Sequence, residues 1–213
     1  MLTEEERMAF LESIDRVRAA SMPTLLGTRD ATQAIRFVQN LHRSIDLAAA
    51  HSAAQGPVPD CKAGCDHCCS MHVEVTEPEA FLIARTVRAL PTHHREVVVD
   101  KLRAGAAARS AGESAERSEC AFLQDKQCSI YAVRPGVCRK GHSLSVAQCE
   151  ARSPQIPQVV SLLAESEALM IGVAQAYLQV GLQLSKQELH TAVLAALGDE
   201  AAEQRLFQPR ASS

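Results

Sequence analysis

The chain has 213 residues, a formal net charge of -3 and 46% hydrophobic residues, enough apolar material for one globular domain with a core. Aromatics make up 3% and Trp is absent, so the core is expected to be Leu, Val, Ile and Ala, which favours packed helices over an aromatic-rich sandwich. The acidic balance argues against a non-specific nucleic-acid binder, which needs a basic footprint.

Met1 to Arg7 carries Glu4, Glu5 and Glu6 where a secretory signal would carry basic residues and then an apolar run. The segment reads as a helix start, and a cytoplasmic location is expected. Thr3 and Glu6 form a capping box for a first helix running towards Ala20, with Phe10, Ile14 and Val17 on one side. Pro23 and Gly27 are expected to break it. A second helix starts at Asp30, with Gln33 as its capping partner, and continues to about Ala54 on the spacing of Ile35, Val38, Leu41 and Ile45. Gln55 to Asp60 is a stop and a turn. After a first cysteine cluster, Thr76 and Glu79 make another capping box, with Pro78 tolerated in the first turn. That helix ends at Pro91, and a further one spans His93 to Arg109. Ser110 to Ser118 reads as an exposed loop joining two halves of one site.

Cys120 to Cys149 has little helical periodicity, and Pro135, Gly136 and Gly141 suggest loops. Pro154 and Pro157 mark the exit. A long helix follows from Val159 to Val180, then a last one capped by Ser185 and Glu188 and ending at Gly198. The apolar stretch Ala168 to Leu184 is shorter than a membrane span and carries Gln175, Gln179 and Gln183 on one helical face. It predicts a buried amphipathic helix and no membrane partner. The expected organisation is a helical pair over 1–55, a cysteine-rich core over 56–150, C-terminal helices over 151–207 packed on the same domain, and a flexible tail over 208–213.

The strongest chemical signal is Cys61-Lys62-Ala63-Gly64-Cys65-Asp66-His67-Cys68-Cys69, four thiols in nine residues. A disulfide framework fits poorly with the lack of a secretory signal and a chain long enough to fold without staples. Inert buried thiols would not need Gly64, Asp66 and His67 among them. Metal binding is the expectation. In a helix the four sulfurs would project within an arc of about 100°; in a loop, Gly64 supplies the turn that converges them. Adjacent Cys68 and Cys69 are hard to aim at one ion, so they can serve two ions or divide their roles. A second set is Cys120, Cys128, Cys138 and Cys149. Eight cysteines suit two zinc sites of four thiolates, or an iron–sulfur cluster with cysteines left over. Spacing does not choose between zinc and iron. Lys62, Arg134, Arg139 and Lys140 are placed to offset thiolate charge. His67 and His142 are candidates for a further ligand or for a hydrogen bond to a ligand, as are Arg134 and Arg139 for the latter. His72 reads as a surface histidine and Asp66 as a solvated turn residue. In the Ile130–Tyr131 step both side chains are expected to anchor the loop in the core.

Cys61-x3-Cys65-x2-Cys68-Cys69 resembles the signature of the YkgJ-like cysteine-cluster proteins, a zinc- or iron-chelating group. Cys120-Ala121-Phe122-Leu123, Cys128-Ser129-Ile130-Tyr131 and Arg134-Pro135-Gly136-Val137-Cys138-Arg139 resemble further segments of that family in the same order. Ala121 stands where many relatives have proline, which removes no ligand. The resemblance implies ligand roles for Cys61, Cys65, Cys68, Cys69, Cys120, Cys128 and Cys138, with a looser match at Cys149. Related modules occur fused to a flagellin lysine methylase, but this chain has no glycine-rich cofactor motif, so that activity is not carried over.

The expected architecture is therefore all-α, a helical bundle around a loop-rich cysteine metal-binding core. The expected function is a cytoplasmic metal-binding protein that holds zinc or iron in a structural, sequestration or sensing role. Two alternatives stand beside it: an iron–sulfur or polynuclear-iron enzyme in redox or modification chemistry, and a protein-interaction module whose metal is purely structural.

Overall fold

A computed structural model describes residues 3–28, 30–62, 64–110, 119–181 and 184–205. Of the loop expected over Ser110 to Ser118, Ser110 is helical, and the rest, like the tail from Gln208, lies outside the described residues.

Helix α1 (Glu4–Gly27) opens on the Thr3–Glu6 capping box: Thr3 Oγ1 accepts from the Glu6 amide at 3.2 Å, and Glu6 Oε2 accepts from the Thr3 amide at 2.8 Å. The helix runs on through Pro23, beyond the break expected near Ala20. Pro23 removes the amide that would reach the Ala19 carbonyl. Packing outweighs that loss, because Leu25, past the proline, is buried with Phe37, Val173 and Tyr177. Helix α2 (Ala31–Gln55) starts on Asp30, whose Oδ1 accepts from the Gln33 amide at 2.8 Å. It turns Ile35, Val38 and Ile45 inward, together with one imidazole, His42.

The chain then passes through the first cysteines, with a single 3-10 turn at His67–Ser70, into strand β1 (Glu74–Thr76) and helix α3 (Glu77–Arg88). Helix α4 follows over Thr92–Ser110. Strands β2 (Leu123–Gln124) and β3 (Gln127–Cys128) form a hairpin whose two turn residues, Asp125 and Lys126, both have positive φ, at 48° and 61°. That is the geometry of a tight two-residue hairpin, here without the usual Asn-Gly or Asp-Gly. Two short helices, α5 (Gly136–Lys140) and α6 (Val146–Glu150), lie where the sequence suggested loops alone. Five residues are too few to show a helical period.

Helix α7 (Val160–Gln179) matches the expected long helix and packs on α1 and α2. Gly172 permits the close crossing with α1: a Cβ built there would sit 2.6 Å from Val17 Cβ and 2.8 Å from the Ile14 carbonyl. Among the described residues no helix is long and apolar enough to cross a membrane. Strand β4 (Lys186–Glu188) pairs antiparallel with β1, Val75 opposite Gln187, and leads directly into helix α8 (Leu189–Gly198). The cap of that helix is Glu188, which accepts from the Thr191 amide; Ser185, the expected first cap residue, lies before the strand. Helix α9 (Ala202–Arg205) is fastened to α3 by Arg85, whose Nη2 donates to Glu203 Oε2 at 2.7 Å.

The fold is all-α, with two small two-stranded ladders among the described residues. Its main core joins α2, α3, α4 and α8 through Ile35, Phe81, Ile83, Val87, Leu102 and Val193, and it extends to Phe122 and Ile130 between the second set of cysteines. Apolar burial of such side chains stabilises by about 1.5–3 kcal/mol each. The second cysteine segment, through Cys120 and Cys128, therefore sits on the main core.

Candidate metal centre

The first cysteine segment is a turn. Gly64 has φ +86°, which a side chain would strain, and the chain reverses so that the Cys65 amide bonds the Lys62 carbonyl at 3.0 Å. Of the two geometries open to the sequence, the loop is the one formed. Two backbone links close the ring of segments: the Cys120 amide donates to the Cys69 carbonyl at 2.8 Å, and the Asp60 amide to the Ser143 carbonyl at 2.8 Å. Each ties a residue of the first cluster to one of the second.

These links gather Cys61, Cys65, Cys68, Cys69, Cys120, Cys128 and Cys138 around one cavity of about 510 Å³, together with Lys62, Lys126, Arg134 and Arg139. Cys149 lines a neighbouring cavity of about 340 Å³ with Asp66, His67 and Glu150, and Cys69 borders both. His67 Nε2 lies 3.7 Å from Glu150 Oε1. Among the described residues no three Cys, His, Asp or Glu side chains are already gathered closely enough to hold an ion.

With no cation bound, burial holds most of these thiols in the protonated form. Burial, followed by repulsion from neighbouring thiolates, pushes Cys138 up, and burial pushes Cys120 up to about 11. Burial also raises Cys61, against the Ser143 amide, which donates to its Sγ at 3.2 Å. Amides of Phe122 and Ile130 oppose the rise at Cys120 and Cys128 in the same way. Amides aimed at sulfur stabilise thiolate, but burial and mutual repulsion outweigh them. A divalent ion held by these cysteines would supply positive charge and deprotonate the thiols that bind it. The donor set thus fits zinc or iron. The Cys69 thiol donates to Cys68, which lowers the latter and raises its own value.

Arg134 and Arg139 hold the rim. The Arg134 guanidinium lies 3.7 Å over the Tyr131 ring, and its charge lowers both Cys68 and Cys128. Tyr131 is 60% exposed, so it stacks on Arg134 instead of entering the core as the sequence suggested; Ile130 alone is buried. Arg139 donates to Asp46 on α2 at 2.5 Å and to the Ala132 and Arg134 carbonyls at 2.6 and 2.9 Å. It fixes three elements at once. Lys140 pairs with Glu167 on α7.

Both nitrogens of His142 are engaged: Nδ1–H donates to the Lys140 carbonyl and Nε2 accepts from the Val159 amide, each at 2.8 Å. Its ring braces the chain after Cys138 against the start of α7.

Residues 60–156 match the family model CxxCxxCC, described as "Putative zinc- or iron-chelating domain". This segment is similar to that domain over its whole cysteine-bearing length. No curated protein and no solved structure gave a match. The description and the eight cysteines support metal binding.

Two groups that support the cysteine cavity were not visible as site residues in the sequence. Glu79 completes the expected capping box through Oε2, bonded by the Thr76 amide and hydroxyl at 2.9 Å each. Its Oε1 also accepts from His42 Nε2 at 3.1 Å and from the Gly136 amide at 2.8 Å, which fixes the start of the helix carrying Cys138. Burial pushes the Glu79 carboxyl up, but these donors outweigh it and hold it below the usual range. The second group is Arg109, Glu188 and His190, on the cavity wall beside Cys120. Burial raises Glu188 as well, and bonds from His190 and the Thr191 amide override it, bringing the carboxyl to about 2. The sequence offered Glu188 as a cap only and gave no sign of the other two.

Proposed function

We propose that this chain is a metal-holding protein whose seven-thiol cavity binds zinc or iron as a centre of more than one metal ion, for sequestration or sensing. The observation that carries this is the number of cysteines around one cavity. A single tetrahedral ion takes four sulfurs, and seven line the 510 Å³ cavity. Repulsion links the thiols into an extended set: Cys61 feels Cys65, Cys68 and Cys149, whereas Cys138 feels Cys120, Cys68 and Cys128. Cys68 belongs to both groups. The ligands are accordingly Cys61, Cys65, Cys68, Cys69, Cys120, Cys128 and Cys138, with Cys149 at the edge. Lys62, Lys126, Arg134 and Arg139 offset the excess thiolate charge. Exposure of Cys61 and Cys68 leaves a route for ligand exchange, which suits metal handling better than a sealed structural site.

The test is purification without oxygen, followed by metal and acid-labile sulfide analysis alongside the visible spectrum. More than one zinc or iron per chain supports the proposal. Iron with sulfide assigns an iron–sulfur centre and brings redox chemistry forward. One zinc per chain, resistant to chelators, would instead make the metal purely structural. No bound metal under any loading condition overturns the reading.

A further inference from the structure

The segment that matches the metal-binding family ends at residue 156, yet the cavity wall is completed by residues from beyond it. Strand β4 pairs with β1, and the Leu189 amide donates to the Val73 carbonyl at 2.9 Å, which sets Glu188 and His190 beside Cys120. His190 is 1% exposed. Its Nε2 accepts from the Ala121 amide at 3.1 Å, so the ring proton lies on Nδ1 and is donated to Glu188 Oε1 at 2.7 Å. Arg109 Nε donates to the same oxygen at 3.0 Å. With Nδ1 protonated, the 3.3 Å approach of Arg109 Nε to that nitrogen is a contact between two donors, both turned to Glu188. The tautomer is thus fixed by its two partners. Gly105 on α4 leaves the ring its space: a Cβ there would lie 3.1 Å from His190 Cε1 and Nδ1. The Ala121 amide is the peptide N–H directly after Cys120, and Cys120 is also bonded back to Cys69 through its own amide.

We propose that His190, held by Glu188 and Arg109, is a positioning residue of the metal centre that fixes the backbone at Cys120–Ala121 and so aims the Cys120 thiol into the cavity. The C-terminal strand and helix are then part of the centre and not only of its scaffold. Loss of an outer-shell partner that orients a ligand side chain typically costs about 10–100-fold in metal affinity, and the bond to the peptide after Cys120 is placed to orient Cys120 through its backbone. Glu188 and Arg109 keep the imidazole in the one orientation that presents Nε2 to the amide. The inference rests on the reading that the cavity binds metal, and its test separates the two.

Cobalt(II) serves as the probe, because thiolate-to-cobalt charge transfer reports the number and arrangement of bound sulfurs. The full-length protein, His190→Leu, His190→Gln and Glu188→Ala are compared for cobalt spectrum, for cobalt release to a chelator and for unfolding of the metal-free form. His190→Leu deletes the acceptor, Glu188→Ala removes the partner that orients the imidazole and leaves the histidine in place, and glutamine retains an acceptor near the Nε2 position. Weaker thiolate bands and release about tenfold faster are expected for His190→Leu and Glu188→Ala, with His190→Gln within about twofold of the parent. An unchanged spectrum and release rate in whichever of His190→Leu and Glu188→Ala folds overturns the inference, even if that variant is less stable. Absence of any thiolate band in the parent protein would defeat the metal-cavity reading itself.

Discussion

Replacing Glu79 by glutamine changes one atom in a buried network and removes its charge. The carboxylate accepts four hydrogen bonds, two on each oxygen, from Thr76, His42 and Gly136. An amide side chain keeps one acceptor and presents an NH2 where the other oxygen stood. If the NH2 faces Thr76, it meets the Thr76 amide; if it faces α5, it meets the Gly136 amide. Either way at least one buried donor loses its partner, at roughly 1–3 kcal/mol, and the remaining bonds lose their charge assistance, at roughly 1 kcal/mol more. The expected loss is about 3 kcal/mol, or about 6–12 °C in Tm for a chain of this length. Thermal and urea unfolding of the metal-free protein measure it. Because the Gly136 amide sets the start of the helix carrying Cys138, Glu79→Gln is also expected to weaken metal retention. A Tm within about 2 °C of the parent refutes the argument that this carboxylate holds the centre's scaffold together.

The pH dependence of Glu79 has a definite sign. Its folded carboxyl lies below the ordinary value of 4.5, so its stabilisation is complete above that pH and is lost as the pH falls through the lower folded value. The acid limb of the stability curve is therefore expected to flatten in Glu79→Gln, as followed by urea midpoints from neutral pH down to about pH 3; parallel acid limbs would count against the assignment. Gly172→Ala places a Cβ 2.6 Å from Val17 Cβ, and the overpacking, about 1–3 kcal/mol, is expected to exceed the helix-propensity gain of about 1 kcal/mol; a urea midpoint shifted upward would contradict it. Arg139→Lys removes the fork that joins Asp46 to two carbonyls, and a loss of about 1–2 kcal/mol is expected in the same assay. Cys138→Ser is expected to lower bound metal more than Cys149→Ser, because Cys138 lines the seven-thiol cavity and Cys149 its neighbour; metal analysis with the opposite order would move the centre towards Cys149.

What could be read from the sequence follows from the range of the interactions. The capping boxes at Thr3–Glu6 and Thr76–Glu79 and the helical stripe of α2 are local, and the structure places them as expected. Pro23 misled because propensity is local, whereas burial of Leu25 against α7 is not. The strand before α8 went unread because Lys186–Glu188 has no alternation of its own and exists only through pairing with β1. In the centre, spacing named the cysteines and the arginines. The second duty of Glu79 depends on partners 37 and 57 positions away, and Arg109 meets a His190 that lies 81 positions on. No periodicity records such contacts. Tyr131 was misplaced because an aromatic beside a buried isoleucine reads as core, while Arg134 offers its face a cation at the surface.

The most direct test of the central claim is X-ray absorption at the metal edge of the protein isolated without oxygen. A first shell dominated by sulfur near about 2.3 Å is predicted, with loss of sulfur scattering in Cys138→Ser. A first shell of nitrogen and oxygen only, unchanged in that variant, would place the metal elsewhere and contradict the assignment of the cysteine cavity as the metal centre.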